Sequence, residues 1–322
     1  MDKVCIVGWG AIGEIHAKAL SVTNNAEFYA VCDVDNKRTE SCCKDYDVKV
    51  FSDFSAVLEN SEINSIHICT PHFLHFEMIK KALAKDKKVV VEKPLTMTLE
   101  ELEELKKIDE NKNICVVFQN RYNKCTLKYK ELSKEMGKLI TAKGVLAWKR
   151  DNEYYLQSPW RGKWKTEGGS LIINQAVHTI DLMSYLFGEI KSVCASICNL
   201  AHNEVIETED TANVFMKFSD GTKGIFFGTN AYGVNNNPEI EGVYEKGVLL
   251  YSSGKLYKNG EIVAEDEKMF NGKPYWGISH ITLIKKFYDE NICFNFEDTE
   301  NTMRTLFSIY ESALNNSIEM NI

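Results

Sequence analysis

The chain has few prolines, five in 322 residues, and no low-complexity segment, which excludes a proline-rich or disordered architecture. No internal repeat is apparent, which sets aside solenoids and propellers. No uninterrupted apolar run reaches the length of a membrane span, so no membrane partner is expected. Positive charge is not in excess either. The net charge of -8 argues against a nucleic-acid-binding surface. Ten cysteines are present, yet none forms a C-x-x-C pair, and Cys42-Cys43 and Cys194/Cys198 match no zinc spacing. Cys5, Cys32, Cys69 and Cys115 fall within or at the ends of apolar strands, where a thiol behaves as a small hydrophobe. Neither disulfides nor a metal are therefore expected, and a reducing cytoplasm is the expected compartment. Met1-Asp2-Lys3 runs directly into a strand, leaving no room for a secretory signal.

What is present is a soluble globular composition, 44% apolar and 26% charged, at a length that fits two domains. Near the start an apolar strand, Val4–Val7, enters Gly8-Trp9-Gly10-Ala11-Ile12-Gly13, and a helix-forming stretch follows. In this G-x-G-x-x-G pattern Gly8 permits a tight turn, Gly10 admits a pyrophosphate, and Gly13 lets helix and strand pack closely. The helix N-terminus adds free N–H groups and a positive dipole end. A second apolar strand, Phe28–Cys32, ends at Asp33, the position from which a carboxylate accepts both ribose hydroxyls of NAD and repels the phosphate of NADP. Asp35 strengthens that repulsion. Lys37 and Arg38 read either as partners for a 2′-phosphate or as solvated positions of the next helix.

Residues 1–120 alternate apolar runs (Val4–Val7, Phe28–Cys32, Ser65–Cys69, Val89–Val91, Ile114–Phe118) with helical stretches, notably Phe76–Lys85 and Leu99–Lys112. Continuous apolar runs suit strands covered on both faces, and the expected fold is an α/β Rossmann doubly wound parallel sheet. Thr98 with Glu101 reads as a capping box. Residues 121–322 change character. Strands are expected at Ile140–Lys149, Val193–Leu200, Thr211–Phe218, Lys223–Thr229, Ile240–Tyr244 and Val248–Tyr251. Helices are expected at Leu127–Met136, Leu171–Phe187, Ile278–Tyr288 and Glu300–Asn315. Ser219-Asp220-Gly221 is a hairpin turn, and strands that follow one another without helices imply an α+β domain with a mainly antiparallel sheet.

Three further places carry chemistry. Lys93, in Val91-Glu92-Lys93-Pro94, ends a strand at the carboxyl edge of the sheet; it reads as a crevice lysine or an ordinary strand-end lysine, and Pro94 permits a cis peptide. Asn174, His178 and Asp181 fall at i, i+4 and i+7 of a helix and share a face. They read as a polar working face, or as a core histidine capped by Asp181; Asn is a poor transition-metal ligand and no second His or Cys sits at chelating spacing. The loop from Tyr154 to Lys165, with Tyr155, Trp160, Arg161 and Trp164, suits a sugar or anionic ligand, while its aromatics alternatively pack a domain interface.

Together these segments resemble the glucose–fructose oxidoreductase / inositol dehydrogenase (Gfo/Idh/MocA) family along essentially the whole chain. The resemblance is carried by Gly8-Trp9-Gly10-Ala11-Ile12-Gly13, Thr70-Pro71 with His75, Glu92-Lys93-Pro94, Gln119-Asn120-Arg121, and the Gly168-Gly169 helix ending in His178 and Asp181. It implies an NAD-dependent dehydrogenase of a sugar, cyclitol or nucleotide sugar. The string from Tyr154-Tyr155 through Trp160-Arg161-Gly162 and Glu167-Gly168-Gly169 to His178 is similar to the branch of nucleotide-sugar 3-dehydrogenases, with Ser170 in place of a third glycine. On this resemblance Lys93 holds the reacting hydroxyl and His178 is the general base. Asn174, where many relatives carry Asp, orients substrate. The cofactor is expected along Gly8, Gly10, Ala11, Ile12, Gly13, Asp33, Thr70, Pro71, His75, Glu92, Lys93, Gln119, Trp160 and Arg161. The substrate is expected at Lys93, Arg121, Tyr155, Trp164, Asn174 and His178. A homodimer or homotetramer is implied. An NADPH-dependent keto-sugar reductase and a non-catalytic sensor stand as alternatives.

Overall fold

Strands without polar alternation have no face to offer water, and the first six strands pair accordingly in one parallel sheet. They are β1 (Asp2–Val7), β2 (Ala26–Cys32), β3 (Lys49–Phe51), β4 (Ser65–Ile68), β5 (Lys88–Val91) and β6 (Ile114–Val116), in the order β3-β2-β1-β4-β5-β6. The structure is a computed structural model that describes residues 1–108, 114–267, 279–292 and 296–322. Expected helical residues 109–112 and 278 lie outside these.

Register decides where the functional segments lie. Val7 pairs with Cys32 of β2 and with Ile68 of β4, Ile68 pairs with Val91, and Val91 with Val116. Five strands therefore finish in one row. Gly8, Asp33, Cys69, Glu92 and Val117 step out of the sheet side by side at its carboxyl edge, where the chain turns outward from β1 in both directions, a topological switch point. Helices start with side-chain caps where the chain provides them. Asp35 Oδ1 accepts Lys37 N–H at 3.0 Å at the head of Asn36–Asp45, and Thr98 Oγ1 accepts Glu101 N–H at 3.2 Å. β3 was not anticipated, because a three-residue strand with Lys49 and Val50 exposed has no periodic signal.

Close contacts divide the chain into two units, Met1–Gln119 with Ile278–Thr299, and Asn120–Gly277 with Glu300–Ile322. Assigning all of 121–322 to the second domain is corrected on this point. The helix Ser279–Lys285 buries Leu283 and Ile284, the Tyr288 hydroxyl meets Ser65, and the Asp289 carboxylate accepts the N–H groups of Asn24 and Asn25, both at 3.0 Å. Apolar burial and these bonds, rather than chain order, place the segment in the first unit.

The second unit holds a nine-stranded sheet. Its strands are β7 (Leu139–Ala147), β8 (Ile190–Cys198), β9 (Thr211–Phe218), β10 (Lys223–Thr229), β11 (Glu239–Tyr244), β12 (Gly247–Ser252), β13 (Lys255–Lys258), β14 (Glu261–Glu265) and β15 (Met320–Asn321). The order is β14-β13-β12-β11-β7-β10-β9-β8-β15, antiparallel except where β10 runs parallel to β7. Strict alternation sorts the residues by face. Ala212, Val214, Met216 and Phe218 are buried, whereas Asn213, Phe215 and Lys217 are exposed. The buried face lies against the helix Val177–Phe187, close enough that a Cβ on Gly144 would overlap the Met183 sulfur. Residues 300–314 of the last helix also pack there, with Ser312 Oγ accepting the Ala195 N–H at 2.9 Å. Both the doubly wound parallel sheet and the mainly antiparallel α+β sheet agree with the fold read from the sequence.

Ile66 lies at the centre of β4 with 0% exposure. Truncation there removes the buried Cγ and Cδ atoms of its own side chain, so Ile66→Ala is expected to cost about 2–5 kcal/mol. Urea denaturation measures it, and a loss under about 0.5 kcal/mol, the size of a surface substitution, would contradict the packing described.

Candidate active site

At the carboxyl edge of the first unit the glycine loop is shaped by sterics. Gly8 has φ +97°, and a Cβ there would stand 2.6 Å from the Cys69 carbonyl oxygen, so only glycine makes this turn. Gly10 differs. A Cβ on it would meet no protein atom within 4 Å, so the fold itself does not demand glycine, whereas a pyrophosphate drawn against the loop does. The helix Ala11–Leu20 begins at Gly10 with no side-chain cap, leaving its first N–H groups to an anion. Asp33 is buried and held from two sides: Oδ2 accepts Trp9 N–H at 2.8 Å and Oδ1 accepts Asp35 N–H at 2.9 Å. Arg38 approaches it to 3.7 Å. Gln119, buried just after β6, keeps its Oε1 without a hydrogen-bond partner among the described residues. The loop, the bare helix start and the Asp33 carboxylate fit a dinucleotide.

Thr70, Pro71, His75, Glu92 and Lys93 share this edge, yet not all as ligand contacts. His75 is buried, with Nδ1 2.7 Å from the Pro94 carbonyl oxygen and Nε2 2.9 Å from that of Thr70. The ring thus lies between the Thr-Pro and Glu-Lys-Pro segments, and in its neutral form donates to one of the two carbonyls. Burial pushes its pKa down, against the pull of both carbonyls. Glu92 turns inward. Its Oε1 lies 3.2 Å from His16 Nε2 and 3.5 Å from His280 Nε2. Burial alone would raise the Glu92 carboxyl, but the bonds from His16 and His280 hold it well below the usual carboxylate range. An ionised Glu92 can only accept, which sets the direction of the neighbouring bonds. His16 donates from Nε2 and accepts at Nδ1 from His67 Nδ1, 2.9 Å away. His67 Nε2 then accepts from the Tyr288 hydroxyl at 3.0 Å, and Tyr288 meets Ser65. Burial lowers both His16 and His67, consistent with neutral rings. The Glu92 side chain anchors a buried chain instead of reaching for a cofactor. Lys93, next to it and joined to Pro94 by a cis peptide, is partly exposed at the edge.

In the second unit the helix expected over Leu171–Phe187 has two parts, a π-turn at Leu171–Gln175 and an α-helix at Val177–Phe187 ended by Gly188. Two buried carboxylates explain the widened turn. Glu209 accepts the N–H groups of Ser170 at 3.2 Å and Ile172 at 2.9 Å, together with the Tyr310 hydroxyl at 2.8 Å. Burial raises its pKa. Glu167 accepts Gly162 N–H at 2.5 Å and Asn174 Nδ2–H at 2.6 Å, and burial pushes it up to about 7. Gly169 has φ +141°, and a Cβ there would overlap the Tyr310 hydroxyl, so this approach needs glycine.

Asn174 and His178 are both partly exposed, while Asp181 is not. Asp181 accepts Arg121 Nε at 2.9 Å and Arg121 Nη2 at 2.5 Å, with the Thr302 hydroxyl at 2.8 Å. The three-residue polar face therefore reduces to Asn174 and His178. Arg121, expected at the substrate, is a buried strut whose guanidinium also stacks 5.0 Å from the Tyr185 ring centroid. Tyr155 is likewise interior, its hydroxyl accepting from Ser170 Oγ at 3.4 Å and Asn230 Nδ2 at 3.1 Å. Arg161 lies over the Tyr154 ring at 4.2 Å and donates to the Tyr154 carbonyl at 2.9 Å; Trp160 stacks beside it. Trp164 is 40% exposed, its indole N–H donating to the Glu207 carbonyl at 3.2 Å and its ring edge-on to Tyr310. Glu167 and Glu209 were not among the expected site residues.

The chain matches the NAD-binding Rossmann-fold domain of the Gfo/Idh/MocA oxidoreductases over residues 3–120 and the C-terminal domain of the same group over residues 128–250. It is 31% identical over 252 residues to scyllo-inositol 2-dehydrogenase (NAD(+)) of Bacillus subtilis (strain 168), covering 74% of this chain and 71% of that protein. The chain belongs to the Gfo/Idh/MocA family. It is thus an NAD-binding oxidoreductase of this family. Glucose-6-phosphate 3-dehydrogenase of the same strain is 31% identical over 194 residues, 58% of this chain; the match spans only 54% of that protein's length. The fold superposes on WlbA dehydrogenase from Bordetella pertussis, solved with NADH and UDP-GlcNAcA, with TM-score 0.88 at 23% identity, covering 100% of this chain and 97% of that one.

The raised Glu167 pKa has a measurable consequence within this family member. Folding lifts it from 4.5 to about 7, so the folded chain keeps a proton that the unfolded chain releases in that window. Stability contributed by this group is present at low pH and falls as pH rises from about 4.5 to 7, by roughly 3 kcal/mol for the full shift. Glu167→Gln should lack this component. Stabilities at pH 5 and pH 8 check it, and an equal pH dependence in both proteins would refute it.

Proposed function

We propose that the protein is an NAD-dependent dehydrogenase that oxidises a secondary hydroxyl of a sugar, cyclitol or nucleotide sugar. The observation that carries this reading is the shared strand-end row, which sets Lys93 on the same sheet edge as the glycine loop and Asp33. The nicotinamide, when bound, supplies the hydride acceptor. The loop and the bare start of helix Ala11–Leu20 take the pyrophosphate, and Asp33 takes the ribose hydroxyls. The Lys93 ammonium donates to the reacting oxygen and stabilises negative charge as it develops there. His178 takes the hydroxyl proton, a contribution of about 10²–10⁴-fold for a placed base. Asn174, fixed at its amide N–H, offers its oxygen to a neighbouring hydroxyl. The aromatic segment with Trp160 and Trp164 supplies apolar faces for a ring. A sensor would need no ammonium and imidazole of this kind, which favours the enzyme.

The test is reduced-nicotinamide absorbance with NAD against scyllo-inositol, myo-inositol, glucose 6-phosphate and UDP-N-acetylglucosaminuronate. One compound class should drive turnover, and Lys93→Met should lose it by about 10³-fold, the size of removing one transition-state donor, with NAD affinity nearly unchanged. Retained turnover with weakened NAD binding would refute the role of Lys93. NADP in place of NAD should be a poor cosubstrate.

The open face of the nine-stranded sheet supports a homo-oligomer. Phe215, Ile225, Phe227 and Ile140 are exposed on it at 66%, 45%, 37% and 58%. Lys217 and Lys223 flank the apolar residues on one side, and Glu239 and Glu241 of β11 on the other. Lys143 of β7 already pairs with Glu239 at 3.8 Å and Glu241 at 3.3 Å, and a two-fold partner would cover the apolar centre. The double variant Phe215→Asp, Ile225→Glu should run as a monomer in light scattering where the native chain runs as a dimer or tetramer; a monomeric native chain would refute the proposal.

A further inference from the structure

We propose that Glu167 is a positioning residue that sets the direction of the Asn174 amide and so presents Asn174 Oδ1 to the substrate. The inference rests on the reading of Asn174 as a substrate contact. Three observations lead to it. Glu167 is fully buried, in a turn of glycines that offers it no solvent. Its two oxygens are divided between two donors, Oε2 with the Gly162 N–H at 2.5 Å and Oε1 with Asn174 Nδ2 at 2.6 Å. And Asn174 belongs to a π-turn, whose backbone is itself pinned by Glu209.

The chemistry of the pair gives the direction. An ionised carboxylate only accepts, so it can face only the NH2 edge of an amide. The carbonyl edge of Asn174 must then face the other way. A free asparagine has no such preference, since rotating its amide by half a turn merely exchanges oxygen for nitrogen. An aspartate at position 174 would meet Glu167 carboxylate to carboxylate and one of the two would have to hold a proton. Asn174 and Glu167 are matched for this reason. The groups facing Glu167 are Glu209 and Tyr310 from beyond the π-turn, with Arg161 and Tyr155 from the aromatic segment. Protonation of Glu167 adds a donor and removes the constraint, because the protonated carboxyl can face either edge of the amide.

The experiment follows the ¹⁵N side-chain amide resonance of Asn174, assigned by its loss in Asn174→Ala, in the protein alone between pH 5.5 and 8.5. It should titrate with a midpoint near 7, matching the raised Glu167 group. The same titration should persist in His178→Ala, and vanish in Glu167→Gln. In Glu167→Asp, a carboxylate that still accepts, it should return at a shifted midpoint. A flat resonance in the native chain, or one abolished by His178→Ala, overturns the link between the two residues. Kinetics then tests the last step, with NAD and the most active of scyllo-inositol, myo-inositol, glucose 6-phosphate and UDP-N-acetylglucosaminuronate. Glu167→Gln should lower kcat/KM about tenfold in the native background and less than about twofold in the Asn174→Ala background, the non-additivity of residues acting as a unit. Equal losses in both backgrounds overturn action through Asn174. A titrating amide with kcat/KM untouched by Asn174→Ala overturns instead the substrate contact on which the inference rests.

Discussion

Parallel pairing in register is the constraint from which the first unit takes its chemistry. A single row of partners, Cys32, Val7, Ile68, Val91 and Val116, ends five strands together. A slip of one residue between β4 and β5 would turn Lys93 and Glu92 each to the opposite face, since side chains alternate with period two. The buried Glu92 chain guards against that slip. Glu92 finds its histidine partners only from the face it now occupies, and leaving an ionised carboxylate there unpaired would be far more costly than a lost hydrogen bond. Backbone pairing places the row, and side-chain ionisation fixes its phase.

The second unit uses the same device differently. Here the carboxylates lie beneath a turn instead of behind a strand. Glu209 satisfies N–H groups that a regular α-helix would leave open at its start, and Glu167 takes another from Gly162. Both are raised by burial, so these sites hold charge at some cost. Arg121 and Asp181 form the better-balanced case, two bonds in one plane, which locks the helix Val177–Phe187 near its middle. The polar residues of that helix thus separate into Asp181, which holds it, and His178, which is partly exposed.

Much of this was legible in the residues. Strand-to-glycine-to-helix spacing, continuous apolar runs and then strands that follow one another without helices defined both sheets, and Thr211–Phe218 and Lys223–Thr229 match their strands residue for residue. The site was legible as a set of segments rather than as contacts. Helical spacing grouped Asn174, His178 and Asp181, but a π-turn and a remote arginine separate them, and neither leaves a mark in local periodicity. Arg121 and Asp181 are 60 positions apart. Tyr155 reads as a ligand aromatic by composition, and only its Asn230 and Ser170 partners show it to be interior. β13 and β14 are four and five residues long with little burial, and β15 has two residues, so none carries a run long enough to read. Glu167 did leave a signal: a carboxylate directly before two glycines, ahead of an apolar stretch, needs donors that only a specific turn provides.

The double hold on Asp33 has a consequence for redesign of coenzyme preference. The side chain proposed to face the ribose also anchors the glycine loop through Trp9 N–H and steadies the next helix through Asp35 N–H. Exchanging it for a small neutral residue to admit a 2′-phosphate would strip acceptors from two backbone donors and loosen the phosphate cradle. Recognition and scaffold are one carboxylate here. A switch of nucleotide would require a paired change, with a new acceptor for the Trp9 amide introduced before the acid is removed.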